Sequence, residues 1–217
     1  MISMARILLI LFLLSATLTL HALDEPKVAR AKYDELAAKV NAGDMNIDWQ
    51  ILRLSARVGE VYGDYDPYRA AKEALALHEK GDYEGALKIA IETERHNIAD
   101  LDAQVAAWSC LMQMERKQEA ERHWNILRAI VQSILKSGRG KNAKTAYFVV
   151  GIREELVFIE EALQSRVTQQ HSERIDGHYY DVVSVVNAAG KKDSLWFNTD
   201  TDIELSGRAG DTGRHIY

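Results

Sequence analysis

Four basic side chains are grouped in one short glycine-containing segment, residues 136–144, with no acidic residue among them. They are Lys136, Arg139, Lys141 and Lys144. Gly138 and Gly140 would let backbone N–H groups approach a bound anion, so the segment suggests a phosphate site. Its spacing differs from that of a P-loop, however, and no strand precedes it. Basic residues also stabilise the negative end of a helix dipole, so a simple helix end is the other interpretation.

A second polar cluster lies in the segment 61–69, where three tyrosines are interleaved with two aspartates. Tyrosine and carboxylate groups in a loop can bind a sugar, a peptide or a cation. The segment also has a structural explanation, because Asp66 followed by Pro67 is typical of a helix N-terminus. It lacks the later ligands of a calcium loop, so we expect no metal there. Tyr65 and Tyr68 remain candidates for ligand binding.

The other reactive residue types form no catalytic pattern. The histidines show no H-x-x-x-H or H-E-x-x-H spacing, and the chain has no G-x-S-x-G motif and no Cys–His arrangement. Four glutamates on one predicted helix are interpreted as a solvated face: Glu154, Glu155, Glu160 and Glu161. We therefore expect no catalytic residue, no metal and no cofactor.

Two single residues need a separate explanation. Cys110 lies in an apolar helical context, and we expect a buried and inert thiol. Arg53 shares a predicted helix face with Trp49 and Ala56. A buried arginine needs an acidic partner, for which Asp48 or Asp64 is available in the sequence.

The composition excludes several classes of protein. The chain has 217 residues, of which 47% are hydrophobic, with one cysteine, two prolines and a net charge of −5. This apolar fraction is enough for a folded core, so the chain is not a disordered protein. One cysteine cannot form an intramolecular disulfide. The negative charge argues against a nucleic-acid partner.

Residues 1–22 have the features of a secretory signal peptide. Arg6 precedes an apolar stretch, Ile7–Leu20, and Ala22 provides a small residue for cleavage. The alternative is an uncleaved anchor, but the stretch is shorter than the roughly 20 apolar residues of a spanning helix. No cysteine follows it for lipid attachment. We expect a periplasmic or secreted mature protein with no membrane span.

The spacing of apolar residues predicts a series of helices through residue 137. Aspartates at 48, 66 and 82 are expected to cap three of them. One helix is predicted from Leu101, Val105, Trp108 and Met112. The segment KGDYEGALKIA (Lys80–Ala90) resembles a tetratricopeptide unit, with Ala86 at the helix crossing. A shift of 34 residues, the period of that repeat, leads to Ala120.

The pattern changes after residue 137. Segments rich in β-branched and aromatic residues predict strands at Thr145–Gly151, Tyr179–Val186 and Ser194–Asn198, the last two forming a hairpin. A helix is predicted at Glu154–Gln164. We therefore predict an α+β protein, mainly α, in which tetratricopeptide-like helical hairpins precede a small C-terminal β element. Its expected divisions are residues 1–22, 23–137, 138–206 and a disordered tail, 207–217.

Six motifs in order resemble those of an uncharacterised bacterial family of exported domains of unknown function. They are IDWQILRLS, YDPY, GDYEGAL, SGRGKNAKTA, YYDV and SLWFN. The resemblance covers about residues 30–205 and implies a tetratricopeptide-like body with a short β ending, but no established activity. In that family the loop usually reads Ser-Gly-Asp-Gly-Lys. Arg139 replaces the acid here, which argues against a metal site and makes the loop more positive.

Two functions are compatible with these residues. The first is a non-enzymatic protein-binding or assembly module of the bacterial envelope, because stacked helical hairpins present concave faces to partners. Its partner is an unknown protein or a second copy of the chain. The alternative is a small-ligand or anion-binding protein, or an enzyme, that uses the Arg139–Lys144 loop (with Lys141) together with Tyr65, Tyr68 and Arg53. That alternative requires those residues to converge on one pocket.

Overall fold

The computed structural model describes residue 23 and residues 25–208, which form two compact units that divide between Gly63 and Asp64. The predicted signal peptide and residues 209–217 of the predicted tail lie outside the described residues. The described part contains eight α-helices and one four-stranded sheet, with 59% helix, which confirms the α+β, mainly α class.

The first unit contains two helices, α1 (Pro26–Asn41) and α2 (Trp49–Val58). Helix α1 ends at Asn41, and Gly43 follows shortly after with a positive φ of 88°. The carboxylate of Asp48 accepts a hydrogen bond from the Ile51 amide at 3.0 Å, which confirms the predicted cap of α2.

The second unit begins with four antiparallel helices: α3 (Pro67–Glu79), α4 (Tyr83–His96), α5 (Leu101–Gln113) and α6 (Lys117–Ser137). Their start signals are local. Asp66 caps the Arg69 amide at 3.0 Å and Asp82 caps the Gly85 amide at 2.9 Å, as predicted. Each of these helices packs on the next, so the chain builds two neighbouring helical hairpins.

Small side chains fill the core of these hairpins. Ala86 on α4 and Ala120 on α6, which the sequence relates by 34 residues, are both buried there. The same cluster also contains Leu87, Ala90, Ala107, Cys110 and Leu111. Because alanines allow helix backbones to approach closely, a larger residue at either position would force the helices apart.

The C-terminal part of this unit contains a small mixed sheet. Its strands are β1 (Tyr147–Phe148), β2 (Ser165–Ile175), β3 (His178–Asn187) and β4 (Lys192–Asn198), in the order β1-β4-β3-β2. Strand β4 pairs with β3 in antiparallel register, Asp181 opposite Phe197, which confirms the predicted hairpin. It pairs with β1 in parallel, Tyr147 opposite Phe197.

Two helices lie next to the strands, and aromatic side chains pack between the strands and the first of these helices. Helix α7 (Ile152–Val157) continues as one π-helical segment (Phe158–Ala162), and α8 (Asp200–Arg208) follows β4. Tyr147, Phe158 and Phe197 pack together with ring centroids 5.2 to 6.2 Å apart. This aromatic cluster joins β1, β4 and the π-helical segment.

Two predictions for this part need correction, and two further elements were not predicted. The strand expected over residues 145–151 is confined to Tyr147–Phe148, because residues 143–145 form a 3₁₀ turn. The helix expected from residue 154 begins two residues earlier and changes from α to π at residue 158. Strand β2 was not predicted, since it is polar and largely exposed and lacks the apolar alternation of a half-buried strand. Helix α8 was not predicted either.

Candidate functional site

The backbone of the glycine loop after α6 closes on itself instead of facing a ligand. The amides of Arg139 and Gly140 both donate to the carbonyl oxygen of Thr145, each at 2.7 Å. Those N–H groups are the ones a phosphate cradle would need. The loop therefore supports the helix-end interpretation and not the phosphate site.

Close packing explains both glycines of this loop. A Cβ atom at Gly138 would lie 2.2 Å from the carbonyl oxygen of Ala146. Gly140 has a positive φ of 63°, and a Cβ there would lie 2.3 Å from the ring of Tyr147. The Gly140 carbonyl also accepts a hydrogen bond from the Trp196 amide at 3.0 Å. The loop thus fastens the end of α6 to β1 and β4.

A cleft of about 240 Å³ opens beside this loop, between Arg139–Lys141 and the facing ends of β3 and β4. We refer to it as the basic cleft. Three cations line it, Arg139, Lys141 and Lys191, against one acid, Asp193. Lys141 Nζ donates to Asp193 Oδ2 at 2.7 Å. This hydrogen bond and the one from the Ser194 amide hold the pKa of Asp193 below its usual value. Asp193 is therefore ionised at neutral pH.

The floor of the basic cleft is apolar. Leu163, Val185, Leu195 and the Tyr147 ring line it. The side-chain oxygen of Asn187, also in the cleft, already accepts hydrogen bonds from the Ala189 and Lys191 amides at 3.1 and 2.9 Å. The charged groups are thus at the rim, above a hydrophobic base.

The structure brings only part of the predicted ligand set to this cleft. Lys144 is exposed in the 3₁₀ turn and does not line it. The Tyr65 hydroxyl lies 2.7 Å from Thr93 Oγ1, and its ring stacks on His96 at 4.3 Å. Tyr68 is 55% exposed in the first turn of α3. Neither tyrosine lines the basic cleft.

Arg53 belongs to the first unit, and its side chain is not accessible to a ligand. It lies on α2 and is only 1% exposed. The sequence therefore identified Arg139 and Lys141 as residues of the cleft, but it missed Lys191 and Asp193. The signal for these two is weak, a turn with Gly190 and two lysines between the strands of the predicted hairpin.

A buried acidic network was also missed. Glu154 and Glu155 on α7 are buried, at 8% and 0% exposure, so their assignment to a solvated face is wrong, although Glu160 and Glu161 are exposed. The Gln170 amide nitrogen donates to Glu155 Oε1 at 3.0 Å and to Asp181 Oδ2 at 3.2 Å. One amide group on β2 therefore bridges two buried carboxylates.

A second polar network lies inside the helical hairpins. His123 on α6 is buried, and its Nδ1 lies 2.9 Å from Gln104 Oε1 on α5 and 3.3 Å from Glu94 Oε2 on α4. Gln104 Nε2 donates to the Ile98 carbonyl at 2.8 Å. Burial lowers the pKa of His123, although the charge of Glu94 acts in the opposite direction. The neutral imidazole is the form that this site favours.

We expect acid to destabilise the protein through His123. Because its folded-state pKa is below the unfolded value of 6.5, the unfolded chain takes up the proton first as the pH falls. The stabilisation is complete above about pH 6.5 and is lost below it. Urea unfolding at pH 7.5 and 5.5 should show a smaller pH effect in His123→Asn than in the wild type. The exposed His171→Asn variant is the control, and equal pH effects in all three proteins would contradict the prediction.

Cys110 is free and buried, as predicted. Burial raises the pKa of its thiol, which disfavours the reactive thiolate. In the described part of the chain, no three His, Cys, Asp or Glu side chains are placed to hold a metal ion together. None of the described helices combines the length and the apolar composition that a membrane crossing requires.

The outward side of α5 is apolar, whereas the outward sides of the neighbouring helices are charged. The single charged residue of α5 is Asp102, which forms a bidentate ion pair with Arg153 of α7 at 2.5 and 3.0 Å. Met112 is 41% exposed and lies one turn after Trp108. The Trp108 ring contacts that of Trp124 on α6, which is 43% exposed, with centroids 5.3 Å apart. We call Trp108, Met112 and Trp124 the tryptophan patch.

The fold and these sites define a mainly α, α+β protein in which antiparallel helical hairpins are followed by a small mixed sheet bordering a basic cleft. Residues 58–206 match the model of a family described as a domain of unknown function, DUF4919, and the chain belongs to that family. The match includes the glycine loop, the basic cleft and the tryptophan patch. Searches of curated proteins and of solved structures found no match.

Proposed function

We propose that this protein is a non-enzymatic protein-binding module of the bacterial envelope, exported with cleavage of residues 1–22. The observation that carries the proposal is the tryptophan patch. A tryptophan left 43% exposed next to a second tryptophan and an exposed methionine is unfavourable in water. Tryptophan and methionine are also enriched in the cores of protein interfaces.

The neighbouring helix α3 carries another exposed apolar side chain. Leu75 is 59% exposed and lies one turn before His78. His78 Nε2 is 3.0 Å from Ser109 Oγ on α5, and Ser109 lies one turn before Met112. Helices α3 and α5 are thus in contact, and each carries an exposed apolar side chain, Leu75 on α3 and Met112 on α5. A groove between helices with apolar anchors is a recurring way to bind a peptide segment.

The export proposal has separate support in the sequence. A basic residue, an apolar stretch and a small residue occur in the order of a signal peptide. No disulfide stabilises the mature chain, whose single cysteine is buried and free. Helix packing therefore supplies its stability in an oxidising compartment.

The tryptophan patch can be tested by placing a charge on it. We expect Met112→Lys and Trp124→Lys to abolish capture of a partner by the mature chain in cross-linked envelope extracts, since burying an unpaired lysine in an interface is costly. Val28→Lys is the control, because Val28 is also an exposed apolar residue, 47% exposed, but lies in the first unit. Thermal unfolding should be similar in the three variants.

Two results would contradict this function. One is the same set of captured proteins with the wild type and with both patch variants. The other is that no protein, including a second copy of this chain, is cross-linked at position 124. If the captured protein is the chain itself, light scattering should give a dimer that Trp124→Lys dissociates.

A further inference from the structure

We propose that the basic cleft binds a small organic acid, a carboxylate carried on a short apolar group. This inference does not depend on the tryptophan patch or on a protein partner. It rests on three features of the cleft: cations without a carboxylate partner, an apolar floor and a small volume.

The charge of the cleft is not balanced by the protein. Lys141 pairs with Asp193 at 2.7 Å, which neutralises one of the three cations. Arg139 is exposed and, in the described part of the chain, donates no side-chain hydrogen bond and forms no ion pair. Lys191 lowers the pKa of Asp193 through its charge but forms no ion pair among the described residues. Two positive charges are therefore left to attract an anion.

The polar groups near these cations are already occupied. The Ser165 hydroxyl donates to the Leu163 carbonyl at 3.0 Å, and the Asn187 side-chain oxygen accepts from two amides. The loop amides of Arg139 and Gly140 donate to Thr145. The guanidinium of Arg139 and the ammonium of Lys191 are thus the charged donors that the cleft leaves for a ligand. A guanidinium matches the two oxygens of a carboxylate in a bidentate arrangement.

The floor and the volume limit the rest of the ligand. Leu163, Val185, Leu195 and the Tyr147 ring offer no hydrogen-bonding side chain at the base apart from the tyrosine hydroxyl. A volume of about 240 Å³ is below the roughly 300–1,000 Å³ of pockets for larger ligands. A short aliphatic or aromatic acid fits both conditions, whereas inorganic phosphate would leave the apolar floor in contact with water.

Titration of the full mature chain with hexanoate, followed by two-dimensional NMR, tests this proposal. We expect saturable shifts at the amides of residues 139–141, 185–187 and 191–195. Arg139→Gln and Lys191→Gln should each weaken binding about tenfold, since each removes a charge-assisted hydrogen bond. Lys144→Gln is the matched control, because Lys144 carries the same charge in the same loop but does not line the cleft. It should leave the affinity unchanged.

Hexanol and inorganic phosphate test the contribution of the charge and that of the apolar floor separately. Hexanol should not shift the cleft amides, because it lacks the charge, and inorganic phosphate should bind more weakly than hexanoate. The proposal is overturned if hexanoate causes no saturable shift in the cleft, or if Lys144→Gln weakens binding as much as Arg139→Gln. Phosphate binding as tight as hexanoate binding would also overturn it, because the apolar floor would then contribute nothing.

Discussion

Replacing Gly138 with alanine is expected to lower the free energy of unfolding by about 3 kcal/mol, the upper range for forcing an extra methyl group into a packed site. The added Cβ would lie 2.2 Å from the Ala146 carbonyl oxygen and 2.7 Å from that of Thr145. Both are backbone atoms, and Thr145 also holds the amides of Arg139 and Gly140. The loop therefore cannot yield without losing those two hydrogen bonds.

Gly151→Ala is the matched control for this prediction. Its φ of 177° is extended, like the −169° of Gly138, so neither glycine is needed for its backbone conformation. A Cβ at Gly151 would meet its nearest neighbour at 3.6 Å, an ordinary contact. Urea unfolding of both variants measures the difference. A loss of stability in Gly151→Ala equal to that in Gly138→Ala would show that the close approach at residue 138 is unimportant.

Replacing Gln170 with leucine should cost about 2–3 kcal/mol of unfolding free energy. The substitution removes the amide that donates to both Glu155 and Asp181 and places an apolar side chain against two buried carboxylates. Removing the donor from a buried charged acceptor costs more than the net value of the hydrogen bond, because the acceptor remains without water. Ser172 still donates to Asp181 Oδ1 at 2.6 Å, which limits the loss.

Gln169→Leu tests whether the loss comes from the bridge. Gln169 is the preceding residue of β2 and is exposed, so the same substitution there leaves the two carboxylates untouched. We expect a change within about 0.5 kcal/mol, as for ordinary surface positions. Chemical denaturation of both variants at pH 7 gives the comparison. Equal losses would mean that the strand, and not the bridge, is sensitive to leucine.

Local signals in the sequence were sufficient to predict the helices up to residue 137, but not α8. A cap such as Asp66 acts on an amide three residues away, so its partner is visible in the sequence. Ala86 and Ala120, which a 34-residue shift of the sequence relates, are both buried in the hairpin core. The sequence did not reveal which side of α5 is buried. Leu101 is in the core, whereas Val105, Trp108 and Met112 are exposed to different degrees.

The sheet and the sites depend on contacts that a single sequence does not reveal. Lys141 and Asp193 are 52 positions apart, and only the packing of the glycine loop beside β4 makes them partners. Glu155 and Gln170 meet because the π-helical segment that continues α7 packs against β2, and periodicity within α7 gave no sign of this contact. The clustering of charges in the sequence thus identified Arg139 and Lys141 of the basic cleft, whereas Lys191 and Asp193 became apparent only from the fold.

The position of β4 in the sheet limits the order in which the sheet can form. This strand is the last of the four in the chain, yet it lies between β1 and β3. The helical hairpins can form from contacts close in sequence, whereas β1 pairs with a strand about 50 residues further along the chain. Before β4 pairs with β1, Phe158 and Tyr147 have no contact with Phe197 and expose aromatic surface. Exposed apolar surface of this kind promotes aggregation of incompletely folded chains. We therefore expect the insertion of β4 between β1 and β3 to be a late step of folding.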